Sequence, residues 1–81
     1  MEIHPSARKH GLTDADIRHA ATQYLIAYPL TDQNDGPHRE LRLGADQAGN
    51  LLELVVLLLD DQRELIIHAM RMRPKYRNLL P

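Results

Sequence analysis

Glu53 and His68 are the two side chains whose chemistry is most complementary, and each lies within one of the two most apolar segments of the chain. A carboxylate and an imidazole in contact can pass a proton near neutral pH, where the ordinary pKa of histidine lies. Cleavage of an RNA phosphodiester needs a group that deprotonates the 2′-hydroxyl, a group that protonates the leaving oxygen, and cations for the phosphorane charge. With Arg42 nearby, the pair would meet these needs. The alternative is structural: His68 pairs with Glu53 as a half-buried histidine, and Arg42 forms a cross-strand ion pair.

A run of cations at alternate positions follows the second apolar segment, namely Arg71, Arg73, Lys75 and Arg77. Arginine binds phosphate through two parallel hydrogen bonds, so Arg71 and Arg73 are candidate phosphate ligands. Tyr76 stands among the cations and belongs to a residue type that stacks on RNA bases. The alternative is that the cations form a solvated face or pair with the acidic half of the chain, while Tyr76 packs on the domain edge.

Two predicted strands, residues 51–59 and 64–72, must position these side chains, and the polar residues between them indicate an antiparallel hairpin. We expect Leu59 to pair with Glu64. The expected partners further along are then Leu57 with Ile66, Val55 with His68, and Glu53 with Met70. Successive side chains of a strand point to opposite faces of the sheet, so one face of the hairpin is apolar. It consists of Leu52, Leu54, Val56, Leu58, Leu65, Ile67 and Ala69. The other face is mixed and consists of Glu53, Val55, Leu57, Ile66, His68 and Met70.

The positions of the arginines depend on the same alternation. Strict alternation places Arg71 and Arg73 on the apolar, core-facing side, so they reach RNA only where the strand extends beyond the helices. A further strand is predicted from His38 to Leu43. Arg42 joins the mixed face if the glycine-containing turn at residues 44–50 directs Leu43 to the core.

Two helices are predicted before the strands. The first runs from His4 to Gly11, because proline suits the first helical position and glycine suits the left-handed residue that ends a helix. The second begins after Thr13, which is a favourable N-cap. Its apolar stripe consists of Ile17, Ala20, Ala21 and Tyr24.

The remaining segments complete an α+β prediction. Residues 24–28 fit either the last turn of the second helix or a short strand, and residues 30–37 fit an exposed loop. Residues 74–80 fit one terminal helical turn that begins with proline. We therefore expect a single domain, residues 1–81, with two N-terminal helices packed on one face of a three- to four-stranded antiparallel sheet.

Composition narrows the classes of function. The absence of cysteine excludes a disulfide framework, a thiolate nucleophile and a zinc ribbon. The five histidines include no His-x₃-His pair and no carboxylate at ligand spacing, so we expect no metal site and no cofactor. No segment is typical of a signal peptide or a membrane span, and we expect a cytoplasmic protein without membrane contact.

Charge is segregated along the chain, although the formal net charge is −1. Residues 13–61 carry nine acidic and three basic side chains, whereas residues 71–81 carry four basic side chains and no acidic one. The whole protein would therefore not be drawn onto nucleic acid, but its C-terminal end could be.

The order of these pieces is also informative. A proline-started helix ends in Lys9-His10-Gly11, the last strand contains Ile67-His68-Ala69-Met70-Arg71, and a basic tail continues to Arg77. This order resembles the BrnT-type toxins of bacterial type II toxin–antitoxin modules, small ribonucleases with a RelE-like α+β fold, over nearly the whole chain. In that family the sheet and the basic C-terminal residues bind and cut RNA, and a cognate antitoxin blocks the toxin. The resemblance implies such roles for Arg71, Arg73 and Arg77 and, less directly, for Lys9 and His10.

Two functions from different classes follow from these observations. The first is a toxin-like ribonuclease that cleaves RNA without a metal, with His68, Glu53 and Arg71 as catalytic residues. Its expected RNA-binding residues are Arg42, Arg73, Lys75, Tyr76, Arg77, Lys9 and His10. The second is a non-catalytic RelE-like interaction module that holds a protein partner, or a second copy as a homodimer, on an exposed sheet face. That face would present the uncovered side chains of Val55, Leu57, Ile66 and Met70.

Overall fold

The computed structural model describes residues 1–30 and 38–81, which form an α+β fold. The elements, in chain order, are β1 (Glu2–Ile3), an N-terminal 3₁₀ helix (Pro5–Arg8), α1 (Asp14–Thr22), β2 (Tyr24–Leu30), β3 (His38–Ala45), β4 (Leu51–Leu58), β5 (Glu64–Arg71) and a C-terminal 3₁₀ helix (Pro74–Leu79). The predicted α+β class is confirmed, as is the terminal helical turn that begins with proline. Leu30 ends β2, and the rest of the predicted loop, residues 31–37, lies outside the described residues.

The sheet has five strands in the order β1-β5-β4-β3-β2. The pairing of β1 with β5 is parallel and the other pairings are antiparallel, so the sheet is mixed and larger than the three to four antiparallel strands predicted. Residues 24–28 belong to β2, which settles the choice between helix and strand. This strand continues through Pro29, which is tolerated because β2 lies at the edge of the sheet.

A β-bulge in β5 changes the predicted register of the central hairpin. His68 lies opposite Val55, but the next pair is Ile66 with Val56, so Ile67 has no partner in β4. The predicted pairs Val55–His68 and Glu53–Met70 are confirmed, and the pairs Leu57–Ile66 and Leu59–Glu64 are wrong. The observed pairs are Leu57 with Leu65 and Leu58 with Glu64. Because a bulge reverses alternation, Ile66 belongs to the core face and Leu65 to the other face.

The N-terminal segment contains one α-helix rather than the two predicted. Pro5–Arg8 is a single 3₁₀ turn, capped by the imidazole of His4, whose Nδ1 accepts the backbone N–H of Ser6. Gly11 ends this segment at φ +80, the left-handed conformation expected of it. The hydroxyl of Thr13 caps α1 as predicted by accepting the backbone N–H of Asp16. None of the helices among the described residues is long and apolar enough to cross a membrane.

One face of the sheet, called the helix face here, packs against α1 and the N-terminal 3₁₀ helix. Its buried core consists of Ile3, Ala7, Ile17, Ala20, Ala21, Leu52, Leu54, Val56, Ile66 and Ala69. Each fully buried leucine, valine or isoleucine contributes about 1.5–3 kcal/mol to stability. Gly44 of β3 allows α1 to approach closely, because a Cβ atom there would lie 2.4 Å from the carbonyl oxygen of Ala20. Tyr24, predicted to extend the helical stripe, lies instead in β2.

The other face of the sheet, called the opposite face here, carries Glu53 and His68. The C-terminal 3₁₀ helix crosses this face, from Arg73, which is bonded to β4, to Leu79, whose carbonyl oxygen accepts a hydrogen bond from the Tyr28 hydroxyl at 3.0 Å. Leu41 and Leu43 of this face are buried. The chain therefore buries part of the face that the sequence suggested would need cover.

Candidate active site

The carboxylate of Glu53 is the centre of a buried polar cluster, with only 1% of its side chain exposed. Its Oε1 accepts two hydrogen bonds from Arg73, one from the backbone N–H and one from Nε, both at 2.9 Å. Its Oε2 accepts a bond from Nη2 of Arg73 at 2.8 Å and one from Nε2 of His68 at 3.1 Å. Four bonds satisfy the acceptor capacity of a carboxylate, so Glu53 holds the guanidinium of Arg73 and the imidazole of His68 in fixed positions.

These contacts fix the charge of Glu53. Burial acts to raise the pKa of the carboxyl group, but the hydrogen bonds from Arg73 and His68 and the charge of Arg73 outweigh it and lower the pKa of Glu53 to about 2. The group is therefore ionised at neutral pH and cannot exchange protons there as a general acid or base. Of the predicted acid–base pair, only the imidazole can carry the proton chemistry.

The hydrogen bond to Glu53 also determines the tautomer of His68. An ionised carboxylate only accepts hydrogen bonds, so Nε2 of His68 carries the hydrogen, and Nδ1 of the neutral ring is an acceptor. Among the described residues, no hydrogen bond involves Nδ1, and 24% of the His68 side chain is exposed. The β-bulge at Ile67 directly precedes this histidine, and bulges re-aim the side chains beside them. Nδ1 is thus a hydrogen-bond acceptor that no described residue occupies.

A second imidazole lies against the first. The rings of His10 and His68 meet edge to face, with 5.8 Å between their centres. The N-terminal 3₁₀ helix positions His10, because two hydrogen bonds join this segment to β5. The backbone N–H of His4 donates to the carbonyl of Ile66 at 2.8 Å, and the Ser6 hydroxyl donates to the carbonyl of Ile67 at 2.6 Å. Sequence reasoning assigned His10 to RNA binding and missed its contact with His68, because no local pattern indicates a contact between the two ends of the chain.

Arg73 lies on a different face from the one predicted. Alternation along β5 placed it on the helix face, but β5 ends at Arg71, and Arg73 is the extended N-cap residue of the C-terminal 3₁₀ helix. Its guanidinium reaches Glu53, and this hydrogen bond is the main cause that raises the pKa of Arg73. The side chain remains 44% exposed, so it can also bind an anion from solvent. Arg73 and Lys75 lie 5.8 Å and 5.0 Å from the centre of the Tyr76 ring, as cation–π partners.

Arg42 does not belong to this cluster, so the position predicted for it is wrong. Leu43 lies opposite Glu53, which places Arg42 on the helix face. There it is almost fully buried and donates to the carbonyl of Ala21 and to the carboxylates of Glu40 and Glu64. Its donors are used inside the protein, so the structure gives no support to a role in RNA binding.

The remaining cations lie around the cluster rather than within it. Arg71 is opposite Leu52 on the helix face, as predicted, and is exposed beyond the core. It is not among the residues that contact Glu53 or His68, the pair with which it was predicted to act. Lys9, Lys75 and Arg77 are also exposed, the first beside His10 in sequence and the other two in the C-terminal 3₁₀ helix.

The cluster therefore combines an ionised carboxylate, two imidazoles and a guanidinium in an α+β domain. Within residues 1–30 and 38–81, no group of three or more histidine or acidic side chains has the arrangement of a metal site. Comparison of the chain with models of known protein families, with curated proteins and with solved structures found no match.

Proposed function

We propose that this protein is a small toxin-like endoribonuclease of a toxin–antitoxin module, related to the BrnT-type toxins and sharing their RelE-like fold. In this proposal it cleaves RNA by acid–base chemistry that requires no metal. The observation that supports it most directly is the position of His68. Glu53 holds its Nε2, Nδ1 remains available, and the second imidazole of His10 lies 5.8 Å away between ring centres.

The proposed reaction divides proton transfer between the two histidines. Neutral His68 removes the proton of the 2′-hydroxyl through Nδ1, and the 2′-oxygen attacks the adjacent phosphorus. Protonated His10 donates its proton to the departing 5′-oxygen as the P–O5′ bond breaks. The products are a 2′,3′-cyclic phosphate and a free 5′-hydroxyl, so atoms and protons balance. Each positioned acid or base contributes about 10²–10⁴-fold to the rate in such reactions.

Glu53 and Arg73 support this reaction without exchanging protons. The fixed negative charge of Glu53 orients His68 and stabilises the imidazolium that forms when the ring takes the 2′-proton, as a buried carboxylate does beside a catalytic histidine. The side chain of Arg73 is 44% exposed, and its guanidinium stabilises the charge that develops on the phosphorane. Lys9, Lys75 and Arg77 supply longer-range attraction for the RNA backbone.

A cognate antitoxin is the proposed protein partner, and by covering His68 it would block RNA access. The competing function is a non-catalytic module that binds a partner or itself. The observation in its favour is that Tyr24 and Leu25 are exposed apolar side chains. The face first suggested for that role carries Leu65 in place of Ile66, which is buried on the helix face. His68→Ala separates the two functions, since loss of toxicity with retained partner binding identifies catalysis.

The proposal is tested with purified protein and a labelled single-stranded RNA in the presence of EDTA. We expect cleavage, with 5′ fragments that end in a 2′,3′-cyclic phosphate. A matched RNA with a 2′-O-methyl group at the cleaved nucleotide should stay intact, because it has no 2′-hydroxyl to deprotonate. If both RNAs stay intact and expression of the protein leaves bacterial growth unaffected, the proposal fails.

A further inference from the structure

A single serine side chain joins the two segments that carry the imidazoles of the candidate site. The hydroxyl of Ser6 donates a hydrogen bond to the carbonyl oxygen of Ile67 at 2.6 Å, although 61 positions separate these residues in the sequence. Ile67 is the extra residue of the β-bulge, so it has no partner in β4. The residue after it is His68, and His10 follows Ser6 by four positions.

The bulge directs two successive carbonyl groups of β5 toward the N-terminal segment. In a regular strand, successive carbonyl groups point toward opposite neighbouring strands. Here the carbonyl of Ile66 accepts the backbone N–H of His4 at 2.8 Å, and that of Ile67 accepts the Ser6 hydroxyl, whose oxygen also lies 2.8 Å from Nδ1 of His4. Because a carbonyl removed from water without a donor is unfavourable, the hydroxyl stabilises the bulged conformation that sets the direction of His68.

The same serine begins the turn that ends in His10. The next residue, Ala7, is fully buried in the core. The backbone N–H of Gly11 closes the following turn by donating to the carbonyl of Arg8 at 3.1 Å. The turn that carries His10 is therefore compact, and its position against β5 depends on the hydrogen bonds that Ser6 and its neighbours make.

We infer that Ser6 is a positioning residue, whose hydrogen bond to the bulge sets the two imidazoles of the candidate site in edge-to-face contact. The rings of His10 and His68 are 5.8 Å apart between their centres. Proton transfer at both ends of one phosphodiester needs both rings in fixed places, and a displacement of about 1 Å can cost about 10²-fold in rate. The consequence for cleavage rests on the proposed ribonuclease function, whereas the effect on the ring contact does not.

Nuclear Overhauser contacts between the two rings test the inference without RNA. We expect a contact between His10 and His68 in the wild type, its loss in Ser6→Ala, and its retention in Ser6→Thr, which keeps the donor. Thr22→Ala is the matched control, since the Thr22 hydroxyl also donates to a backbone carbonyl, that of Arg18 at 2.8 Å, but within α1. A wild type without the contact, a contact that persists in Ser6→Ala, or equal loss in Thr22→Ala would overturn the inference.

Steady-state cleavage of the labelled RNA in EDTA separates this inference from the proposed function. We expect Ser6→Ala to lose about 10–10²-fold in kcat with a KM within about twofold of the wild type, because the RNA-binding cations are untouched. Ser6→Thr and Thr22→Ala should keep the wild-type kcat. If the wild type cleaves and Ser6→Ala has the same kcat, the inference fails and the proposed function stands. If the wild type cleaves no RNA, the proposed function fails, and the ring contact alone decides the role of Ser6.

Ser6→Cys keeps the test decisive if Ser6→Ala fails to fold. A thiol fills the position of the hydroxyl but is a weak donor, so the ring contact should weaken and kcat should fall at least about threefold. The chain has no other cysteine, and a reducing agent keeps this thiol free. A ring contact and a kcat that both stay at their wild-type values in Ser6→Cys would contradict the role assigned to the hydrogen bond of Ser6.

Discussion

Replacement of Glu53 by glutamine tests whether this carboxylate holds the cluster together. In the wild-type protein its pKa falls from the ordinary value of 4.5 to about 2 on folding. That difference of about 2.5 corresponds to about 3 kcal/mol of folding free energy, at about 1.4 kcal/mol for each pKa unit. Because the side chain of Arg73 is partly exposed to solvent, which weakens ion pairs, we expect a contribution of roughly 2–3 kcal/mol.

The lowered pKa of Glu53 determines how its contribution to stability changes with pH. A group whose pKa is lower in the folded state stabilises the fold above its unfolded-state pKa, and the contribution is lost as the pH falls through the folded-state value. The contribution of Glu53 is therefore complete above about pH 5 and is lost progressively toward about pH 2. The glutamine of the Glu53→Gln variant does not titrate in this range. Its NH₂ group would also face the hydrogen-bond donors of Arg73 and His68, so the variant should be less stable than the wild type at neutral pH.

The assay is urea denaturation of the wild type and of Glu53→Gln at matched pH values from neutral to acid. The lowered pKa values of Asp14, Asp46, Asp61 and Glu64 affect both proteins alike, so the difference between the two stability curves isolates Glu53. We expect that difference to shrink by roughly 2–3 kcal/mol between pH 6 and pH 2. A difference that stays constant across this range would refute the argument that the hydrogen bonds of Arg73 and His68 keep Glu53 ionised.

Two further substitutions test the helix face. Arg42→Met should lower the free energy of unfolding by roughly 3 kcal/mol, because it leaves the partly buried carboxylates of Glu40 and Glu64 without their buried cation. Urea denaturation measures the loss. Gly44→Ala should lower the free energy of unfolding by at least about 2 kcal/mol, because the new Cβ would lie 2.4 Å from the backbone of Ala20 and force α1 to move. Urea denaturation measures this loss as well.

Each of these substitutions has an outcome that would contradict its argument. Arg8→Met is the control for Arg42→Met, because Arg8 pairs with Asp14 at an exposed position, and it should change stability little. Equal effects of the two arginine substitutions would mean that burial does not strengthen the Arg42 network. Wild-type stability in Gly44→Ala would mean that α1 does not pack against β3 as closely as described.

In the central hairpin, the sequence predicted some strand pairs correctly and others wrongly. The pairing of Val55 with His68 was predicted correctly, but two errors cancelled to give it. Next to the turn, Glu64 pairs with Leu58 rather than with Leu59, which shifts the register by one residue. The bulge at Ile67 shifts it back, so the predicted register holds from His68 onward. Neither glycine nor proline marks this bulge, so nothing in the local sequence indicates it.

The candidate site was predictable only where its parts lie on paired strands. The contact between Glu53 and His68 follows from alternation along a hairpin. The positions of Arg73 and His10 do not, because Arg73 lies beyond the end of β5 and His10 is brought to His68 by hydrogen bonds of the N-terminal segment to β5. Arg42 was misplaced because its face depends on the register of β3 with β4, which a turn containing two glycines leaves open.

The measurement that tests the central claim most directly is the rate of RNA cleavage in EDTA by the wild type, His68→Ala and His38→Ala. His38 is an exposed histidine at the start of β3 and serves as the matched control. We predict that His68→Ala loses about 10²–10⁴-fold in rate while its circular dichroism spectrum and unfolding midpoint stay close to those of the wild type. His38→Ala should cleave at the wild-type rate. Cleavage by His68→Ala at the wild-type rate would contradict the assignment of this cluster as the active site.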